Sequence, residues 1–269
     1  MSALDIVIVS YNCREVLDAC LRSLFISPAR PPCHIVVVDN GSSDGTVAHL
    51  RATWPDLHVI EEENRGFAAG NNAGIRATTS PLVLLLNPDT RVEAGAIETL
   101  VAALEADATA AIAGPRIVDA EGRAELSFGS MMSPRAELLQ KLLVVGSDRR
   151  WPFVTPLVER MTRHPRHVDW VSGACLLIRR DVLNAVGLLD ERFFLYTEDV
   201  DLCASVRARG HSVLFTPKAT IVHLRGRSRA TAGGAAQAAY RRSHVAFYEK
   251  HHPRWALLLK AYLRLRGQL

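Results

Sequence analysis

The stretch VVDNGSSDGT at residues 37–46 predicts the end of a buried strand, a tight turn and the start of a helix. β-Branched residues form the strand, and Gly41 and Gly45 allow the backbone to turn sharply. Asp39 closes the strand, whereas Asp44 stands where a helix N-cap is expected. Because ligands of open α/β sheets bind beyond the strand ends, we interpret Asp39 as a ligand contact and Asp44 as a cap.

The same alternation of strand and helix runs through the first third of the chain. Apolar runs predict strands at Leu4–Ser10, His34–Asp39, Leu57–Glu61 and Leu82–Leu86. Helical patterns separate these strands at Glu15–Phe25, Asp44–Thr53 and Phe67–Ala77. Strands that are apolar along their whole length indicate a mostly parallel sheet flanked by helices on both faces. Right-handed crossovers would then place the polar loops that follow the strands on one edge of the sheet.

The rest of the chain predicts further elements and a division into two parts. We expect helices at Ala94–Ala106, Asp181–Val186, Glu198–Arg209, Ala235–His251 and from Pro253 onward, and strands at Ala110–Ile117, Val168–Arg179, Ser212–Phe215 and Thr220–His223. Residues 1–230 would form one α/β domain, in which the proline-rich residues 127–167 predict a mobile, partly helical insertion facing the substrate. Residues 235–269 predict basic amphipathic helices.

Composition and charge exclude several classes of protein. The chain has 269 residues, of which 48% are apolar and 22% charged, so it is neither disordered nor a simple coiled coil. Its net charge of +4 is unevenly distributed: residues 240–269 carry +6 and the first 239 residues carry −2. The basic excess therefore belongs to the C-terminal tail. We expect no nucleic-acid partner, because the average bias is too weak.

The cysteines and the N-terminus predict a cytoplasmic location. Five cysteines lie in or beside apolar runs without a CxxC pair, which favours reduced thiols. The first residues lack the pattern of a signal peptide, and no apolar run approaches the roughly 18 residues that span a bilayer. Any membrane contact would be peripheral, at the inner face of the cytoplasmic membrane.

Two polar clusters that follow strands are suited to phosphate chemistry. Asn64-Arg65-Gly66 opens a helix that contains Asn71, and a helix N-terminus with an arginine suits a pyrophosphate. The stretch lacks GxGxxG, so a nicotinamide-dependent dehydrogenase is disfavoured. Pro88 ends the fourth strand and exposes Asp89, which could hold a divalent cation together with phosphate oxygens. The alternative role for Asp89 is to cap the next helix.

FFLYTEDVDLC at residues 193–203 carries three carboxylates at a helix start. The helix dipole accounts for part of this acidity. The aromatic residues that precede these carboxylates would partly remove them from water and raise the pKa of at least one of them into the range of a general base. Asp199 and Asp201 face different directions, so one would act on substrate while the other braces the backbone. His223 ends a strand before a loop with Arg225 and Arg227, and both a buried structural role and metal ligation remain open.

In order along the chain, the motifs VSYN, VVDNGSSDGT, ENRGFAAGNNAGI, LLNPDT, SGACLLIRR, FFLYTEDVDLC and HLRGRS resemble the family 2 inverting glycosyltransferases, in their bacterial rhamnosyltransferase-like branch. The resemblance covers residues 3–228. It implies a GT-A fold, which is a Rossmann-like α/β sheet, here with a C-terminal helical extension. It also implies a nucleotide-diphosphate sugar donor and Mg²⁺ or Mn²⁺.

Carried over residue by residue, the resemblance implies roles for particular side chains. Asp39 would contact the nucleobase, Arg65 the diphosphate, and Asp89 the metal, with His223 as a second ligand. Asp199 of the Glu198-Asp199 pair would be the general base. The first carboxylate of the family's DxD motif is Asn87 here, which weakens the expected metal site. The resemblance further assigns donor contacts to Ser10, Tyr11, Asn12, Asn40, Gly66, Asn71, Asn87 and Arg227.

The implied reaction is a single in-line displacement that inverts the anomeric carbon. L-Rhamnose from dTDP-rhamnose is the favoured donor, while UDP- and GDP-sugars stay open. The acceptor would be a saccharide or a lipid-linked saccharide in bacterial cell-wall or surface-polysaccharide assembly. A sugar nucleotidyltransferase and a non-catalytic nucleotide-binding module are the alternatives. The first normally has a basic Gly-rich loop after its first strand, which residues 10–13 lack, and the second has no need of the acidic cluster.

The C-terminal tail has two interpretations. Trp255, Leu258, Tyr262 and Leu265 alternate with lysines and arginines, a pattern suited to an anionic membrane surface. The same helix could instead pack on the catalytic domain or on a second copy of the chain in a homodimer.

Overall fold

The computed structural model of the protein describes residues 2–26, 33–224 and 233–267. The strands within these residues are β1 (Leu4–Ser10), β2 (Cys33–Asp39), β3 (His58–Glu61), β4 (Leu82–Leu86), β5 (Thr90–Val92), β6 (Ala110–Val118), β7 (Phe128–Gly129), β8 (Arg166–Val168), β9 (Trp170–Val171), β10 (Cys175–Arg179) and β11 (Ser212–His223). The helices are α1 (Arg14–Ile26), α2 (Thr46–Thr53), α3 (Phe67–Arg76), α4 (Ala96–Ala106), α5 (Pro134–Asp148), α6 (Val154–Met161), α7 (Arg180–Val186), α8 (Glu198–Ala208), α9 (Gly233–His251) and α10 (Pro253–Leu265).

A central sheet of nine strands within the described residues organises the molecule. Its order is β3-β2-β1-β4-β10-β6-β11-β5, and β8 pairs with β11 at the side. β1 to β4 are parallel to one another, and β6 and β11 run in the same direction. β5, β8 and β10 run against them. The prediction of a mostly parallel α/β sheet flanked by helices is confirmed.

Helices cover both faces of the sheet because successive strand residues point to opposite sides. On one face, Ile6 and Ile8 of β1 pack in a cluster with residues of α1, α2 and α4. On the other face, Val7 packs in a cluster with residues of α3, α7 and α8. Leu143 of α5 and Val158 of α6 join this second cluster, so both helices of the 127–167 segment are anchored on that face.

Three details of the strands differ from the prediction. The expected strand Val168–Arg179 is three separate strands: β8 and β10 belong to the central sheet, whereas β9 pairs with β7 in a separate two-stranded sheet. Residues 172–174 separate β9 from β10, and there Gly173 N–H donates to Asp199 and Ala174 C=O accepts from Asn87. The two strands expected after residue 211 form the single strand β11, whose register shifts between Thr216 and Thr220. The short strand β5 was not predicted, since three residues carry too little periodicity.

The C-terminal helices pack on the body through one small core. Phe247 and Tyr248 of α9 and Ala256 of α10 share a buried cluster with Phe193 and Val200. The outer side of α10 stays exposed. No helix in the described part of the chain is both long and apolar enough to cross a membrane.

Candidate active site

The ends of β1, β2 and β4 bring the predicted polar clusters to one edge of the sheet. We call this the donor edge and define it as residues 10–12, 39–40, 64–66 and 87–89. The strands are parallel, and Ser10 lies opposite Asp39 in the register. Asn40 N–H donates to the Ser10 carbonyl at 2.8 Å, which holds the two strand ends together. The sheet thus brings motifs that are far apart in sequence to a common edge.

Asp39 has one satisfied and one unsatisfied carboxylate oxygen. Its Oδ1 accepts a hydrogen bond from Ser42 N–H at 2.8 Å. No described residue donates to Oδ2, although the side chain is only 2% exposed. A buried acceptor without a donor costs free energy, so the site favours a ligand that supplies an N–H group.

The loop after β1 is locked to the loop after β2. Asn12 has a positive φ of 49°, and its N–H donates to Ser42 Oγ at 2.8 Å. Its Oδ1 accepts from Ser43 N–H at 2.8 Å. Tyr11, next to it, exposes about half of its side chain. Asp44 accepts hydrogen bonds from Arg14 N–H at the start of α1 and Thr46 N–H at the start of α2. The N-cap of α2 is Gly45 rather than Asp44, so Asp44 binds the start of the helix from one residue earlier than predicted.

Gly66 is where the donor edge meets the acidic stretch. Its φ is 99°, and an added Cβ would lie 2.4 Å from the Phe194 carbonyl oxygen, so no larger residue fits. Phe67 N–H donates to that carbonyl at 2.7 Å. Asn40 Nδ2 donates to the Gly66 carbonyl at 3.1 Å. These contacts of Gly66 and Phe67 link the ends of β1 and β2 to the segment that carries the carboxylates.

The other predicted residues of this region lie in different environments. Arg65 is largely exposed and lies 3.5 Å from a Glu62 carboxylate oxygen. Asn71 is buried, and no described residue donates to its Oδ1. Asn72, which the sequence reasoning missed, exchanges hydrogen bonds with the Leu189 backbone in both directions. It links α3 to the chain that leads into the acidic stretch.

Asp89 and His223 meet across the pair of strands β5 and β11. Asp89 Oδ1 lies 3.2 Å from His223 Nε2, and both side chains are largely buried. Glu125, also missed, lies 3.6 Å from the opposite ring nitrogen. Burial disfavours the imidazolium, but the neighbouring carboxylates of Asp89 and Glu125 outweigh it and raise the pKa of His223 to about 9. No sequence signal points to Glu125, because it lies outside regular secondary structure, 98 positions before the histidine.

A carboxylate and an imidazole that converge in this way suit a divalent cation. Asp89 and His223 supply the two types of ligand. No group of three or more metal-binding side chains occurs within residues 2–26, 33–224 and 233–267. Phosphate oxygens and water would therefore have to complete the coordination shell. Asn87, at the first position of the DxD motif, anchors the loop by donating its N–H to the Ala174 carbonyl at 2.9 Å.

The Glu198-Asp199 pair opens α8 after two residues with left-handed backbone. Tyr196 and Thr197 have φ of 68° and 75°, which is costly for side chains of this size. Asp199 accepts Gly173 N–H on Oδ2 at 2.7 Å and Val200 N–H on Oδ1 at 2.8 Å. Glu198 is buried, and its Oε2 accepts no hydrogen bond from any described residue. Backbone N–H groups therefore orient the Asp199 carboxylate, whereas the Glu198 carboxyl group is buried and has one oxygen without a described donor.

Burial shifts the acidity of both groups. Desolvation raises the pKa of Glu198 well above its usual value, and the charge of Asp199 raises it further. Desolvation also raises the pKa of Asp199, and the hydrogen bonds from Gly173 and Val200 oppose that rise. The pair is suited to hold one proton on Glu198 while Asp199 accepts another.

Asp201 has a bracing role. Its Oδ2 accepts from Lys250 Nζ at 2.8 Å, and its Oδ1 lies 2.6 Å from His251 Nε2. Ser243 Oγ, also on α9, donates to the Leu195 carbonyl at 2.9 Å. The end of α9 therefore holds residues 193–201, which we call the acidic segment, from outside. The sequence analysis did not predict a role for these α9 residues. Arg227, a predicted donor contact, lies outside the described residues.

The model of the family described as glycosyltransferase-like family 2 matches residues 2–257. The chain belongs to this family. It is similar to the N-acetylglucosaminyl-diphospho-decaprenol L-rhamnosyltransferase of Mycobacterium tuberculosis, with 29% identity over 290 residues that cover 99% of this chain and 94% of that protein. It is also 29% identical to a low-salt glycan biosynthesis hexosyltransferase of Haloferax volcanii, over 76% of this chain and 61% of that one.

Solved structures confirm the fold of this family 2 glycosyltransferase. A mannosyltransferase from Pyrobaculum calidifontis, in complex with GDP-Man and Mn²⁺, superimposes with a TM-score of 0.63 at 19% identity, covering 96% of this chain and 68% of that one. GalNAc-T7 with UDP, GalNAc and Mn²⁺ gives a TM-score of 0.63 at 18% identity, covering 91% of this chain and 48% of that one. The predicted GT-A fold is confirmed.

Proposed function

We propose that this glycosyltransferase moves a sugar from a nucleotide-diphosphate donor to an acceptor hydroxyl with inversion of the anomeric carbon. The observation that carries the proposal is the contact between the donor edge and the acidic segment at Gly66 and Phe194. A nucleotide-binding edge and an oriented carboxylate on a neighbouring segment are the two parts that a one-step displacement needs.

The donor edge would bind the nucleotide. Asp39 Oδ2 would accept the ring N–H of a pyrimidine, because it is the unsatisfied oxygen of a buried carboxylate. Arg65 would contact the diphosphate from its exposed position at the start of α3. Asp89 and His223 would hold Mg²⁺ or Mn²⁺, which when bound offsets negative charge on the leaving diphosphate. His223 would bind as the neutral imidazole.

Asp199 would accept the proton of the acceptor hydroxyl. The N–H groups of Gly173 and Val200 fix its carboxylate, so the base is oriented before the acceptor arrives. Its raised pKa makes it a better proton acceptor than an exposed carboxylate. Glu198 would stay protonated beside it, which prevents two negative charges from competing in one buried site.

The relatives favour a particular donor and acceptor. Similarity to the mycobacterial L-rhamnosyltransferase extends over nearly the whole chain, so we propose L-rhamnose from dTDP-rhamnose. The acceptor would be a lipid-linked saccharide in bacterial cell-wall or surface-polysaccharide assembly, reached at the cytoplasmic face of the membrane. The exposed outer side of α10, with Trp255, Leu258, Tyr262 and Leu265, would provide a peripheral contact with that membrane.

Thermal-shift screening of dTDP, UDP and GDP, with and without Mn²⁺, tests the donor proposal. We expect dTDP to raise the melting temperature most, and Mn²⁺ to increase the shift. Asp39→Asn should weaken the response to dTDP. Donor hydrolysis with the best nucleotide then separates an enzyme from a binding module. A larger shift with a nucleoside triphosphate, together with release of pyrophosphate, would instead indicate a nucleotidyltransferase.

A further inference from the structure

The α5–α6 helical pair exposes a group of large apolar side chains. We call these six side chains the hairpin patch: Leu138, Leu139, Leu142, Trp151, Phe153 and Leu157. Phe153, at the tip between the two helices, is 88% exposed, and Leu138 is 62% exposed. Contiguous apolar surface of this kind indicates an interaction site.

The exposed side chains are not needed to hold the two helices in place. Leu143 and Val158 supply the buried side of the pair and pack in the core of the second sheet face. Trp151 also folds back on α5, since a Cβ on Gly146 would lie 2.9 Å from its ring. Phe153 and Leu157 lie beyond this packing. They are therefore free to contact an occupant outside the described part of the chain.

The charges around the hairpin patch indicate what that occupant is. Between residues 134 and 163, the helical pair carries six exposed basic residues against one exposed acid, Asp148. They are Arg135, Lys141, Arg149, Arg150, Arg160 and Arg163. The two glutamates of the helices have other partners: Glu137 bonds to His244 and Tyr248, and Glu159 to Arg116. An apolar tip within a basic rim is the pattern of a surface that enters an anionic lipid layer.

The start of α5 and helix α10 pack on the same small core. Tyr248 OH donates to Glu137 at 2.5 Å, so the first turn of α5 is bound to the end of α9. Met131 and Met132, just before α5, pack on the same small core as Ala256 and Leu259 of α10. Both apolar faces are therefore supported by one core.

We infer that the hairpin patch and the outer side of α10 form one surface that docks on an anionic lipid membrane, with Phe153 at the inserting tip. The inference rests on the proposed use of a lipid-linked acceptor. The core beneath this surface also contains Phe193 and Val200, which flank the Glu198-Asp199 pair. Docking through the hairpin patch and α10 together would hold the acidic segment near the lipid headgroups, where the hydroxyl of a lipid-linked saccharide lies.

Vesicle co-sedimentation of the full chain tests the inference. The vesicles contain phosphatidylcholine with phosphatidylglycerol, or phosphatidylcholine alone. We expect wild type to bind the anionic vesicles, and Phe153→Gln with Leu157→Gln to reduce partitioning about tenfold, because two apolar side chains no longer leave water. Phe25→Gln is the control: Phe25 is partly exposed beside Trp54, on which it stacks, and α1 lies on the opposite face of the sheet. It should bind like wild type.

A second pair of substitutions tests the charge component. Lys141→Gln with Arg149→Gln should lower binding to anionic vesicles by about tenfold and leave binding to neutral vesicles unchanged. Circular dichroism of each variant should match wild type, since every substituted side chain is exposed.

Two outcomes would overturn the inference. One is unchanged vesicle binding in the Phe153/Leu157 variant. The other is a dimeric wild type that this variant converts to a monomer while vesicle binding persists, which would make the patch a contact between two copies. Nucleotide release is measured in the same preparations without vesicles, with a soluble nucleotide-sugar donor and a saccharide acceptor. Its absence in wild type would contradict the proposed function and would leave the vesicle result standing by itself.

Discussion

The donor edge and the acidic segment are held in place by different means. At the donor edge, Asn12 of the loop after β1 bonds to Ser42 and Ser43 of the loop after β2. Asp39 accepts from Ser42 within that second loop, and each loop directly follows a strand of the sheet. The acidic segment depends on α9, which begins more than 30 residues after it ends and bonds to it through Ser243 and Lys250. Nucleotide binding should therefore survive changes that impair the position of the general base.

Asp199→Asn should produce the largest effect. Removing the proton acceptor should lower the rate of sugar transfer by about 10²–10⁴-fold, as is typical of a lost general base. Nucleotide affinity, measured by calorimetry, should stay the same because the donor edge is intact. Asp181→Asn, at an exposed carboxylate on α7, serves as the control and should leave both values unchanged. Near-normal turnover in the Asp199 variant would show that another group is the base.

Asp89→Asn should instead impair nucleotide binding at the donor edge and leave the acidic segment unchanged. We expect the affinity for the nucleotide in Mn²⁺ to fall by about 10–100-fold, because a carboxylate beside His223 is lost. Affinity without metal should change little. An undiminished effect of Mn²⁺ in this variant would exclude Asp89 as a ligand.

Lys250→Met tests whether α9 positions the base. The substitution leaves the buried Asp201 with His251 as its one described side-chain partner and also removes the contact of Lys250 with Asp190. It should lower stability by about 1–3 kcal/mol. We expect kcat to fall by about tenfold while nucleotide affinity is unchanged, since misplacement by a fraction of an ångström slows transfer. Lys260→Met, which removes an ion pair with Glu249 on the neighbouring helix, is the matched control. Equal effects of the two substitutions on kcat would refute a positioning role for Lys250.

Glu198→Gln should have the smallest effect, and it should depend on pH. Burial and the charge of Asp199 raise the pKa of Glu198 above its usual 4.5, so the folded chain keeps this proton to higher pH than the unfolded chain does. The free energy of unfolding is then greatest below pH 4.5 and falls as pH rises through the raised pKa. Glutamine cannot ionise, so the variant should lose this decline.

Differential scanning fluorimetry across this range measures the effect. The two chains should melt alike near pH 4.5. At about pH 8 the Glu198→Gln variant should melt about 2–4 °C higher, which corresponds to about 1 kcal/mol. A wild type that gains stability relative to the variant as pH rises would show that Glu198 is ionised in the folded chain.

The sequence predicted most of the donor edge because that edge is local. Each polar motif there follows an apolar strand, and parallel strands end at a common edge, so placing Asp39 and Asp89 needed only the strand pattern. The pairing of His223 with Asp89 was open in the sequence, and β5 supplies it in the structure. This strand has three residues, too few for a periodic pattern.

The supports of the acidic segment were not predictable in the same way. Lys250 and His251 bind Asp201 across about 50 positions of sequence, and nothing in the pattern of α9 distinguishes them from solvated charges on a helix. Glu125 and Asn72 were missed for the same reason. The exposure of the hairpin patch depends on which side of α5 meets the sheet, and that is settled by tertiary packing rather than by local sequence.

A transfer assay with product identification tests the central claim most directly. The chain is incubated with dTDP-rhamnose, Mg²⁺ and a lipid-linked saccharide acceptor, and the released nucleotide and the new glycosidic bond are followed by nuclear magnetic resonance. Our account predicts release of dTDP matched by a product whose anomeric configuration is inverted relative to the donor. A product with retained configuration, or no nucleotide release from any of the dTDP-, UDP- and GDP-sugars, would contradict it.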